Sequence, residues 1–406
     1  MNWRVDPNNM TDEKFQPSGT QPQPVAGGAG SGSGGVTAGR SPGFCHFCGK
    51  KSSEAERFCS SCGANLDIDY DFDYTLLETT DQSASLNDFV QMIPTTRIVE
   101  VFLDKLGTPW IEAQMLGTAV KVGKRQFPDI YQVAEECASM FAVPRIPKIY
   151  LDNYSTFFLS TPYHVITVGT NDDPVILIDP TIIKNIGLPE MRFLFAREMG
   201  HIKMGHPVYI TAGEIVKAIA SNVAGQALLG PRLDNIAGGV LGSILINQPL
   251  IAAMNAWIRA THYSADKAGM VAVGDLQIVK SFFAMFITGW NYSPSSLAAR
   301  VDMDAFLDQA EELERSVGRY SEYLGPLGNL GPLAVPQQFN PGYSLPFTVK
   351  RYKAILDFVK SAEYREAREL VAARGIGRVR NRYCVFCGAS LGESPVCPSC
   401  GKATGP

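Results

Sequence analysis

Pro189-Glu190-Met191-Arg192-Phe193-Leu194-Phe195-Ala196-Arg197-Glu198-Met199-Gly200-His201-Ile202-Lys203-Met204-Gly205-His206 is the stretch on which the reading of the chain turns. Pro189 suits the first turn of a helix, where its missing N–H costs no hydrogen bond, and Pro207 sets the far limit. The spacing therefore predicts one helix from Pro189 to just before Pro207, with Arg197 and His201 one turn apart on a common face. Upstream, Pro128 to Phe141 predicts another helix that puts Ile130, Val133, Ala134, Cys137 and Phe141 on one side, so Cys137 reads as a buried core thiol. Between the two lie three short β-rich runs, Lys148–Leu151, His164–Val168 and Val175–Ile178, parted by Asn, Asp, Gly and Pro. Downstream, Ala253–Ala272 predicts a helix carrying Trp257, Arg259, His262 and Asp266. Residues 86–373 are thus expected to form one α+β domain, mainly helical with a small β-sheet.

The run Arg197-Glu198-Met199-Gly200-His201 resembles HExxH with its first histidine replaced. In that motif two histidines four residues apart grip zinc from one helix face while the glutamate activates a water. Residues from about Lys105 to Phe358 resemble the zinc metallopeptidase family that includes the CAAX prenyl endopeptidase and the bacterial heat-shock protease HtpX. Besides the HExxH-like run, Pro147-Lys148-Ile149-Tyr150 and Trp257-Ile258-Arg259-Ala260-Thr261-His262-Tyr263-Ser264-Ala265-Asp266-Lys267-Ala268-Gly269 carry the resemblance. It implies that position 262 should hold a glutamate ligand and position 266 an aspartate bracing the first histidine. Here they are His262 and Asp266. It also implies a histidine that steadies the oxyanion just before Pro346, where this chain has Leu345. With Arg197, His262 and Leu345 at three chemical positions, the family's three-ligand zinc cannot be assembled in the standard way.

Two readings follow. In the first the protein is a pseudopeptidase: the Arg197 guanidinium, which stays protonated, stands where the dication would and clamps the two helices through Asp266 and Glu198. In the second, His201 and His262 hold a rearranged zinc with Glu198 as the base. His206 joins them only if the helix loosens at Gly205, since five residues turn it about 140° away from His201.

Eight of the nine cysteines fall into two four-cysteine sets. Cys45, Cys48, Cys59 and Cys62 form C-x2-C-x10-C-x2-C, and Cys384, Cys387, Cys397 and Cys400 form C-x2-C-x9-C-x2-C. A glycine follows the second cysteine of every pair (Gly49, Gly63, Gly388, Gly401), where a tight knuckle favours positive φ. Each set predicts a zinc ribbon closed by four thiolates, at residues 44–66 and 383–403, with two structural zinc ions in all. The repeat extends to wording: Phe44-Cys45-His46-Phe47-Cys48-Gly49 against Tyr383-Cys384-Val385-Phe386-Cys387-Gly388.

Residues 1–43 are rich in Gly and Ser, predict a disordered tail, and show no positively charged start followed by an apolar run. Residues 67–85 read as an acidic linker that can dock as a strand, and residues 374–382 as a basic one. Ile236–Met254 holds nineteen uncharged residues, but its Gly, Asn, Gln and Pro content favours a buried helical hairpin over a membrane span. A formal net charge of −4 gives no basic excess for general nucleic-acid binding, so protein or peptide partners are expected. Paired thiolate clusters suit a reducing, cytoplasmic location.

Overall fold

A computed structural model describes residues 44–53, 56–67, 70–79, 108–153, 164–212, 248–290, 296–324 and 347–373. The tail at 1–43, the basic linker, the second ribbon at 383–403, Leu345 and residues 236–247 lie outside the described residues. Helix α1 (Thr108–Thr118) leads into β1 (Val120–Val122), α2 (Pro128–Met140) and β2 (Lys148–Leu151). Strands β3 (Val165–Gly169) and β4 (Pro174–Ile178) follow, then α3 (Pro180–Asn185) and α4 (Leu188–Lys203). After a further helical stretch at residues 206–212 come α5 (Gln248–Val273), α6 (Leu276–Thr288), α7 (Met303–Leu324), α8 (Thr348–Phe358) and α9 (Ala362–Ala373). Among the described residues no helix is long and apolar enough to cross a membrane.

The four strands form one mixed sheet in the order β1-β2-β4-β3. Strand β4 runs parallel to β2, with Ile149 opposite Ile176, and antiparallel to β3, with Thr167 opposite Ile176. All five residues of β4 are buried, which explains why this strand reads as an unbroken apolar run. Among the described residues strand β3 is an edge, and its Thr167 faces α4.

Helix α2 buries Ile130, Val133, Ala134 and Cys137, and the Cys137 thiol donates to the Arg192 carbonyl at 3.6 Å. Helix α4 is buried all round from Met191 to Ile202, so its polar residues must find partners inside the protein. It packs most closely on α5. A Cβ added at Gly200 would lie 2.6 Å from the Ala268 Cβ, and one at Gly269 would lie 2.6 Å from the Phe193 ring. Gly200→Ala is therefore expected to destabilise by about 1–3 kcal/mol, whereas Gly117→Ala, with open space around its Cβ, should be neutral or slightly stabilising. Urea unfolding of the two variants beside the parent checks this, and equal midpoints would remove the close-approach argument.

Two expectations are corrected. The single helix over Pro189–His206 is broken: α4 ends at Lys203, Gly205 has φ +72°, and a new helical stretch starts at residue 206. The acidic stretch does not dock as a strand and is not a free linker over residues 70–78. Phe72 and Leu77 are fully buried in the main core, Phe72 meets Phe141 at 5.0 Å between ring centroids, and a 3₁₀ turn spans Tyr74–Leu76. Asp71 and Asp73 are exposed while Phe72, Leu76 and Leu77 are buried, a packing that no local pattern announces.

Candidate functional site

Arg197, Glu198 and His201 project from α4, His262 and Asp266 from α5, Arg351 from α8 and Thr167 from β3, and all seven are buried. One helical turn separates Arg197 from His201 and His262 from Asp266, and the Gly200 contact brings these two faces together. The Arg197 guanidinium touches three groups at once. It pairs with Glu198 Oε1, donates from Nε to Asp266 Oδ1 at 3.1 Å, and meets His262 Nδ1 through Nη2. Since a guanidinium only donates, His262 Nδ1 must accept, which assigns that ring its proton on Nε2.

Asp266 is held from the other side by Arg351, whose Nε donates to Oδ2 at 2.7 Å and Nη2 to Oδ1 at 2.8 Å. Burial alone would lower the Arg351 pKa, but the Asp266 carboxylate more than offsets it and holds the group above its usual value. Glu198 Oε2 accepts from the Thr167 hydroxyl at 2.6 Å. Two guanidinium groups thus face two carboxylates, a charge-balanced buried set tied together by hydrogen bonds. Val165, Ile166, Ile210 and Ile258 wall the small pocket into which Arg197, Glu198, His201 and His262 open.

The break at Gly205 swings His206 back toward α4, placing its Nδ1 3.0 Å from His201 Nδ1, with the His262 ring 5.6 Å from that of His201. Burial, reinforced by Arg197 and the neighbouring imidazoles, holds His201 well below the ordinary histidine value, and burial brings His206 down to about 3. Unfolded histidines take up a proton near 6.5. Between those values the unfolded chain binds more protons, so stability is full above about pH 6.5 and falls as pH drops, at up to about 1.4 kcal/mol per pH unit for each residue. His206→Gln is expected to flatten the fall in urea midpoint between about pH 7 and pH 5 relative to the parent. Equal slopes would mean that His206 is charged in the folded protein.

The second constellation is the N-terminal cysteine set. Cys45 Sγ lies 3.6 Å from Cys62 Sγ and Cys48 Sγ 3.7 Å from Cys59 Sγ, with all four sulfurs within 4.8 Å of one another. Tetrahedral thiolates about 2.3 Å from zinc stand about 3.8 Å apart, so these residues fit the ion. The two knuckles match: Phe47 N donates to Cys45 Sγ and Ser61 N to Cys59 Sγ, each at 3.4 Å, and Gly49 and Gly63 have φ +69° and +73°. Among the described residues this is the only group whose ligating atoms gather so closely. The ribbon is fastened to the chain between α2 and β2. Ile146 N donates to Gly63 O at 3.0 Å, Asn65 N to Pro144 O at 2.8 Å, and Asn65 Nδ2 to Val143 O at 3.2 Å.

A four-strand sheet packed beside two helices that carry an HExxH-like run and its partner face defines the metallopeptidase class. Residues 125–357 match the family model described as Peptidase family M48, and the chain belongs to that family. It is also 24% identical over 250 residues to the plastoglobule-localized metallopeptidase 48, chloroplastic, of Arabidopsis thaliana, across 62% of this chain. The chain spans 62% of that relative's length. No solved structure matches it.

Arg197, Glu198, His201, His262 and Asp266, singled out in the sequence, converge here, as do Cys45, Cys48, Cys59 and Cys62. Cys384, Cys387, Cys397 and Cys400 lie outside the described residues, as does Leu345. Thr167 and the hold of Arg351 on Asp266 went unforeseen. Arg351 had a signal: it shares its helix face with the apolar Ile355 and Phe358, an unusual place for a charge without a partner. His164 sits just before β3, half exposed, against the Trp290 ring.

Proposed function

We propose that this M48-family protein is a pseudopeptidase that binds or organises other proteins, and that the Arg197 guanidinium takes the place of the family's catalytic zinc. The observation that carries this reading is the threefold contact of Arg197 with Glu198, Asp266 and His262. The residues present do not fit a three-ligand zinc. Arg197 has no lone pair to give, His262 Nδ1 is turned to the guanidinium, and a dication beside that fixed positive charge would be repelled. The clamp keeps α4 and α5 in register, so the cleft beside edge strand β3 keeps its shape for a peptide partner in added-strand fashion. Structural zinc resides in the ribbon of Cys45, Cys48, Cys59 and Cys62, and a second ribbon of Cys384, Cys387, Cys397 and Cys400 holds another. A cytoplasmic location goes with reduced thiolates.

One observation favours a second reading, an active metalloendopeptidase with a rearranged site. The Gly205 break brings His206 to His201, so that three imidazoles, those of His201, His206 and His262, gather near the carboxylate of Glu198. Zinc content of the purified protein separates the two. We expect about two ions per chain, one lost with Cys45→Ser/Cys62→Ser and the other with Cys384→Ser/Cys397→Ser. An ion that survives both pairs of substitutions and is lost with His201→Ala would sink the pseudopeptidase reading, and Glu198→Gln would then be the control in a protease assay.

A further inference from the structure

The ribbon at residues 44–66 turns two phenyl rings outward. Phe44 is 63% exposed and Phe47 66% exposed, whereas Phe58 of the same ribbon is buried in the main core. Neither outward ring is needed to close the module, because the four sulfurs and the fastening to residues 143–146 already do so. Each ring has a cation beside it. Phe44 is paired across an antiparallel bridge with Lys51, which puts both side chains on one face, and the Arg145 guanidinium lies 4.7 Å from the centre of the Phe47 ring. Lys50 is exposed as well. The other ribbon repeats the aromatic pair at the same two places as Tyr383 and Phe386, and Arg378, Arg380 and Arg382 lead into it. Both cysteine sets thus carry an aromatic pair at the same two positions, with basic residues close by in the sequence.

We propose that the Phe44–Phe47 face is a docking site for a protein segment in which acidic residues flank aromatic or aliphatic ones. The rings supply apolar area, and Lys50, Lys51 and Arg145 select carboxylates by charge complementarity. A nucleic acid is disfavoured. Three cations stand against a polyphosphate, four thiolates would give a zinc bound in the same ribbon a net charge of −2, and the chain as a whole carries −4. The inference rests on reading the ribbons as partner-binding modules and is independent of the central site, so the zinc count above can come out either way without touching it. Because the ribbon is tied to the domain through Gly63 and Asn65, the two rings present a platform of fixed orientation.

The test pans a random dodecapeptide phage library against the full-length, zinc-loaded protein, with a twelve-nucleotide oligo(U) RNA measured alongside. Enriched peptides should combine Asp or Glu with aromatic or aliphatic residues. They should bind Phe44→Ala/Phe47→Ala, and separately Lys50→Glu/Lys51→Glu, at least about tenfold more weakly. All four positions are exposed, so both variants should keep their zinc, and measuring that zinc verifies that the ribbon is intact. The proposal is overturned if nothing is enriched, if the enriched peptides show no acidic and apolar bias, if they bind both variants as well as the parent, or if the RNA binds more tightly than any peptide.

Discussion

Arg197→Met is expected to lower the unfolding free energy by about 3–5 kcal/mol, the usual cost of removing one partner from a buried, hydrogen-bonded ion pair. The substitution nearly conserves volume, so what is lost is charge compensation. Glu198 would keep the Thr167 hydroxyl and Asp266 would keep Arg351, but the buried set would carry one uncompensated negative charge. Arg197→Met/Glu198→Gln restores neutrality and should recover part of the loss, and with Glu198→Gln as the second single variant the double-mutant cycle measures the coupling directly. Denaturant unfolding at neutral pH reads all four proteins. A loss below about 1 kcal/mol for Arg197→Met would mean that the guanidinium is not structural. The complementary exchange restores the ligand types that the family resemblance implies: Arg197→His/His262→Glu should gain a zinc ion that His262→Glu alone does not, because Arg197 leaves that single variant one ligand short.

Removing zinc from the first ribbon should have the other large effect. A closed four-thiolate site supplies on the order of 10 kcal/mol to a module of this kind, so Cys59→Ser or a strong chelator should unfold residues 44–66. The consequence should spread, because the ribbon leads directly into the segment that crosses the site helices. Tyr70 donates to Met140 O at 3.0 Å, Asp71 pairs with Lys203 at the end of α4, and Lys267 of α5 donates to Glu78 O at 3.1 Å. Hydrogen exchange should therefore accelerate at residues 143–146 and 70–78 as well as in the ribbon itself. Acceleration confined to the ribbon would mean that the crossing segment holds its place by burial of Phe72 and Leu77 alone.

Much of this was legible in the sequence, and the reason differs from element to element. Strands β2, β3 and β4 and helix α2 were readable because a half-buried helix imposes its period on the apolar residues and a buried strand reads as a short apolar run between turn residues, whereas β1 was not singled out. The cysteine set was readable because four ligands at knuckle spacing leave little else for them to do. The helix break at Gly205 was foreseeable only as a condition on His206, since a glycine near a helix end permits positive φ without requiring it. Docking of residues 70–78 was not readable, because alternation of Asp with Ile, Tyr and Phe suits a strand, a linker or a groove-filling segment equally well.

The residues themselves determined that position 197 cannot ligate a metal and that Cys45, Cys48, Cys59 and Cys62 can, since these follow from side-chain chemistry and short-range spacing, while the helix pair was read through the resemblance to its family. Only the tertiary structure decided what Arg197 does instead. Its partners lie on two neighbouring helices, α8 holds Asp266 from behind, and β3 reaches Glu198 through Thr167. A buried charge is satisfied by whatever the fold brings within hydrogen-bond reach, and that depends on contacts between elements far apart in the chain, which no local pattern encodes.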